Sequence, residues 1–143
     1  MKSFRKWKLL DHAADIRVEV RGETLESLFL NAATALTYLL CGRKKDLKAT
    51  HEKIVTIESE SLDILLADWL REILFYFSAE NFVLSETSVS IEAGFLLTAK
   101  LRGHTRSPDS EMLNGIEIKG VTYHGLTVDK RTEGYVAQII FDA

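Results

Sequence analysis

From Ile16 to Arg21 apolar and polar residues alternate, with Ile16, Val18 and Val20 on one face and Arg17, Glu19 and Arg21 on the other. A period of two predicts a half-buried antiparallel strand, and Gly22 ends it. Residues 4–10 alternate in part and predict a shorter strand before it. After Gly22 the period changes. Leu25, Leu28, Phe29, Ala32, Leu36 and Leu39 recur at three- and four-residue steps, the stripe of a helix with one buried face. Thr24 is placed to cap that helix and Gly42 to end it, with Arg43, Lys44 and Lys45 just beyond, near the negative end of its dipole.

A strand follows over Lys53–Glu58, with Val55 and Ile57 facing the core. A second helix starts at Ser61 and Asp63, with Leu62, Leu65, Leu66, Trp69, Leu70, Ile73 and Phe77 inward. Asp68, Arg71 and Glu72 fall on its outer face. There Asp68 and Arg71, three apart, read as an exposed pair contributing about 0.3–0.5 kcal/mol. The remainder alternates. Phe82–Ile91 and Phe95–Leu101 flank a turn at Ala93-Gly94, and a polar stretch over 102–115 holds Pro108. Ile116–Val128 and Tyr135–Phe141 then pair around Thr132-Glu133-Gly134. This order predicts one α+β domain over residues 1–143, two helices packed on a mainly antiparallel sheet.

At 143 residues and 46% hydrophobic, the chain is long enough to bury a sizeable core. Its 18 Lys and Arg against 21 Asp and Glu give a net charge of −3. That balance argues against direct, tight binding to nucleic acid, which calls for a basic stripe. Cys41 is the only cysteine, so no internal disulfide forms and a reducing cytoplasm is the expected compartment. No signal peptide or membrane segment is predicted.

Candidate chemistry concentrates at two places. Asp11-His12-Ala13-Ala14-Asp15 leads into the alternating strand, and Phe141-Asp142-Ala143 ends the chain. If the two meet, as many as four carboxylates gather, the all-oxygen donor set that hard divalent cations prefer. Asp15 then ligates, and Asp11 or His12 orients a ligand. The plain alternatives are that Asp11 and Asp15 form turns and that Asp142-Ala143 is a solvated stub. His124 reads as a mid-strand residue and Lys119 as a partner contact or an ordinary surface lysine. Cys41 closes a helix at its C-terminal end, where a thiol is not activated, and reads as structural. Nucleophile elbows, zinc-ligand spacings and phosphate-binding glycine loops are absent from the sequence.

Several separated segments together resemble the archease family. They are Leu10–Ile16, Gly22–Ala33, Leu65–Glu72, Ile118–Leu126 and Ala137–Ala143, in order from about residue 7 to the end. The resemblance implies a small α+β domain built from a duplicated strand–helix–strand–strand module. It implies a non-enzymatic protein cofactor of an RtcB-type RNA ligase in tRNA splicing and RNA repair, promoting guanylylation and repeated turnover of the ligase. The family's metal ligands fall on Asp15, Asp142 and the terminal Ala143, with Ca²⁺ as the usual ion and Mg²⁺ or Mn²⁺ as alternatives. Asp11, His12, Lys119 and His124 are the candidate partner contacts, and no residue is assigned a catalytic role. Two departures stand out: Ala13 replaces a common threonine, and Met112 sits near a frequent histidine. The rival expectation is a general chaperone or assembly module; a metal-dependent hydrolase is a weaker third.

Overall fold

The computed structural model describes residues 6–12, 15–42, 48–106 and 115–143, with the side chains of Leu10, Asp11 and His12 outside that description. Ala13, Arg43–Lys45 and Met112, singled out in the sequence, lie outside the described residues. Among the described residues the elements run β1 (Trp7–His12), β2 (Asp15–Gly22), α1 (Leu25–Cys41), β3 (His51–Glu58) and α2 (Leu62–Glu80). They continue as β4 (Phe82–Glu92), β5 (Leu96–Thr105), β6 (Gly120–Val121), β7 (Thr127–Arg131) and β8 (Gly134–Asp142).

The local chemistry places the helices where the periodicity predicts them. Thr24 and Ser27 form a reciprocal cap: the Thr24 hydroxyl accepts from the Ser27 N–H at 3.1 Å, and the Ser27 hydroxyl from the Thr24 N–H at 2.9 Å. Such a cap contributes about 1 kcal/mol. Gly42, at φ 70°, ends α1 with its N–H on the Tyr38 carbonyl. Ser61 opens α2 differently from a conventional cap. Its hydroxyl turns to the Asp63 carboxylate and holds that group below the usual carboxylate range.

The strands form two antiparallel sheets where the pattern suggests one. One has the order β1-β2-β8-β6, with β7 also paired to β8; the other is β3-β5-β4. The division follows a duplication. In β3–α2–β4–β5 the first strand pairs with the last and the last with the middle one. The strands β2, β6 with β7, and β8 repeat that scheme around α1. The second unit is inserted in the first, between α1 and β6.

Both units contribute to one core. Ile16, Val18 and Val20 are buried from β2, Ile139 and Phe141 from β8, and Leu97 and Leu101 from β5. Leu28, Phe29 and Leu36 of α1 meet Leu65, Trp69 and Leu70 of α2 within this cluster. The Trp69 indole N–H donates to the Phe29 carbonyl at 2.9 Å, so the largest buried side chain also ties the helices together.

Two elements depart from the sequence pattern. β5 runs on to Thr105, into the stretch expected as a polar loop, because Arg102–Thr105 pair with β3 and β4. The strand expected after that loop is interrupted. Ile116–Val128 is not a continuous strand: β6 covers two residues and β7 starts at Thr127, with a turn at Tyr123-His124-Gly125 between them. Gly125 has φ 77°, a left-handed conformation that breaks strand geometry and suits glycine.

Candidate functional site

Asp15 and Asp142 are register partners across β2 and β8. They sit at the start of one strand and the end of the other, more than a hundred residues apart in sequence. Their neighbours Ile16 and Phe141 are buried, so the two-residue period turns both acids outward, away from the helices. Both are exposed, as is Ala143. Directly opposed residues hold their Cβ atoms about 4.5–5.5 Å apart, and like charges so placed repel. Calcium takes oxygens at about 2.3–2.6 Å. The donor type and spacing therefore fit one hard cation held between two carboxylates.

Among the described residues, no three His, Cys, Asp or Glu side chains gather as a metal cluster. The described part of this site is Asp15 and Asp142, followed by Ala143. His12 lies nearby in the sheet, its backbone opposite Ile16. The side chains of Asp11 and His12, and any ligating role for them, lie outside the described residues.

The other flank of Asp142 is β6. Gly120 is its register partner, and the Lys119 N–H donates to the Asp142 carbonyl at 2.6 Å. Asp142 is thus sandwiched between Asp15 on one strand and Gly120 on another. The Lys119 side chain is exposed beside this end of the sheet. His124, expected mid-strand, instead lies exposed in the turn that interrupts the strand, because Gly125 bends the chain there.

That turn carries interactions the sequence reading missed. The Tyr123 hydroxyl donates to Asp68 Oδ1 at 2.6 Å and accepts from Arg71 Nη1 at 2.9 Å. Arg71 Nε donates to the Val121 carbonyl at 3.2 Å, and its guanidinium stacks 4.4 Å from the centre of the Tyr123 ring. The Ser59 hydroxyl completes the group, donating to Asp68 Oδ2 at 3.0 Å. Asp68 and Arg71 are therefore not a solvated pair on the outer face of α2: both converge on Tyr123. The hydrogen bond to Asp68 and partial burial raise the Tyr123 pKa, against the lowering influence of Arg71.

Elsewhere the structure is quieter. Cys41 is buried at the end of α1. A cleft of about 640 Å³ lies at the opposite end of β8, between the start of α1 and the β7–β8 turn. Its lining mixes Glu23, Glu26 and Glu133 with Lys130 and Arg131. No helix among the described residues is long and apolar enough to cross a membrane.

Comparison with known proteins converges on one family. Residues 7–143 match the model of the Archease protein family. The chain is 37% identical over 139 residues to the protein archease of Archaeoglobus fulgidus, covering 96% of this chain and 98% of that protein. It is 33% identical over 142 residues to the protein archease of Thermococcus kodakarensis, covering 96% and 99%. Among solved structures, it is similar to Methanobacterium thermoautotrophicum protein 1598, with a TM-score of 0.80, 27% identity and coverage of 96% and 99%. It shares its fold with a Thermotoga maritima archease described as a possible chaperone, with a TM-score of 0.65, 22% identity and full coverage of both chains.

Proposed function

The chain belongs to the archease family, and on that premise we propose that it is a non-enzymatic, divalent-cation-binding activator of an RtcB-type RNA ligase. The observation that supports this reading most is the pairing of Asp15 with Asp142. In it, Asp15, Asp142 and the α-carboxylate of Ala143 hold Ca²⁺, with Mg²⁺ or Mn²⁺ as alternatives. When bound, the ion supplies a fixed positive charge with room for a partner's oxygen ligand.

The chain's own residues do the rest. β2 and β8 hold the two carboxylates in a fixed register, so little order is lost when they close on an ion. Lys119 and His124 present polar groups along the flanking β6 segment, where a partner protein docks. RNA contact falls to the ligase, since a chain of net charge −3 offers no basic stripe. The activator raises guanylylation by binding the ligase's competent state more tightly than its resting state, the only way one protein shifts another's equilibrium.

Ligase guanylylation, measured with the wild type and with Asp15→Ala and Asp142→Ala, tests this. Stimulation should fall roughly tenfold or more in each variant, the scale seen when metal sites lose a supporting group. Undiminished stimulation by both would overturn the reading. Extending the chain beyond Ala143, which turns its α-carboxylate into an amide, should weaken the ion in the same way.

The rival reading is a general chaperone. Exposed apolar side chains favour it: Ile54 on β3 is 68% exposed and Phe75 on α2 56%. The Thermotoga neighbour also carries that description. A chaperone would suppress aggregation of unrelated proteins with no divalent ion present; an activator would not.

A further inference from the structure

β6 is an edge strand of two residues, too short to hold its place by backbone pairing alone. On one side it pairs with β8, through Gly120 opposite Asp142 and Val121 opposite Phe141. On the other side no strand among the described residues pairs with it. There α2 takes over the role of a neighbouring strand. Arg71 Nε donates to the Val121 carbonyl, as a strand N–H would, and Arg71 and Asp68 together grip the Tyr123 hydroxyl. Ser59, just before α2, fixes the far oxygen of Asp68. The guanidinium fork serves a carbonyl, a hydroxyl and a ring face at once, which a lysine ammonium does not reproduce.

We propose that Arg71, Tyr123 and Asp68 are positioning residues for the Asp15–Asp142 site: they clasp β6 to α2 and so hold Lys119 and Gly120 against Asp142. The chain of contact is continuous. Asp68 and Arg71 hold Tyr123 and Val121; Val121 adjoins Gly120; and the Lys119 N–H donates to the Asp142 carbonyl. With the clasp released, β6 frays from β8 and Asp142 loses the strand on its outer side. This inference rests on the cation-site reading above.

Two measurements on the full chain test it: amide hydrogen exchange, and calorimetric titration with calcium chloride. The variants are Tyr123→Phe, Arg71→Ala, Arg71→Lys and, as the control for the site itself, Asp142→Ala. In Tyr123→Phe and Arg71→Ala the Lys119 and Thr122 amides, which donate to Asp142 and Ile140, should exchange roughly tenfold faster. The Val18 and Ile139 amides at the sheet centre should not change. Calcium should bind roughly tenfold more weakly, and Arg71→Lys should restore neither property. A role limited to surface charge would be rescued by lysine, and that rescue would overturn the proposal. So would wild-type exchange and wild-type calcium affinity in Tyr123→Phe and Arg71→Ala while Asp142→Ala loses calcium. If Asp142→Ala keeps its calcium affinity, the cation reading itself falls, and the clasp falls with it as a device for that site. Should Arg71→Ala fail to fold, Tyr123→Phe decides the matter, since it removes one hydroxyl from an exposed side chain.

Discussion

The two strand–helix–strand–strand units are built alike and finished differently. Both start with an eight-residue strand, β2 or β3, paired in register with the unit's last strand. In the outer unit, that pairing begins at Asp15 opposite Asp142; in the inner unit it begins at His51 opposite Gly103. A Cβ at Gly103 would lie 2.1 Å from the Val83 carbonyl oxygen, so a side chain has no space there. Asp142 occupies the same place in the outer unit and is open to solvent. The middle strand differs too. In β4 the register slips by one residue at Ser85. In the outer unit, Thr122–Leu126 intervene between Val121, opposite Phe141, and Thr127, opposite Gln138. Where the inner unit has a one-residue bulge the outer unit has a five-residue excursion, and that excursion carries Tyr123 to α2. The same scaffold is closed at this end in the inner unit and open to solvent in the outer one.

Perturbations can break or sharpen this contrast. Removing what the units share should do most damage. Trp69→Ala should cost about 3–5 kcal/mol, and urea unfolding followed by fluorescence and circular dichroism should show both units melting together. Making the inner end resemble the outer, with Gly103→Asp, should destabilise by about 1–3 kcal/mol or more, because the obstacle is backbone. The reverse change, Asp142→Gly, should leave metal-free stability within about 0.5 kcal/mol. Calcium should raise the melting temperature of the wild type, by up to about 2.7 kcal/mol of stabilisation at a hundredfold excess over Kd. Asp15→Asn and Asp142→Asn should show no such rise.

The smallest effect is expected at the clasp and depends on pH. The Tyr123 pKa is raised in the fold, so the neutral phenol is the favoured form. Its contribution is full below the unfolded value of about 10 and is lost as pH rises through the higher folded value. Stability profiles of wild type and Tyr123→Phe should therefore differ below about pH 10 and converge above it.

Much of the fold was legible because its signals are local. Period two along Ile16–Arg21 and Tyr135–Phe141, and the three- and four-residue steps in both helices, report directly which face is buried. The acids at 15 and 142 stood out because each lies where a buried pattern stops. The clasp was not legible. Asp68 and Tyr123 are separated by 55 residues, and on its helix Asp68 shows only an ordinary spacing from Arg71. The break in the strand had one local hint, Gly125, which the apolar residues around it outweighed. The split into two sheets depends on which strands pair, and alternation says nothing about partners.

The nesting of one unit within the other has a consequence for assembly. Strand β2 waits for β8, so the outer sheet closes only after everything between them has been synthesised. Such distant pairing is slow to form. The juxtaposition of Asp15 and Asp142 is thus a certificate of completed folding: it forms only once β8 has paired with β2.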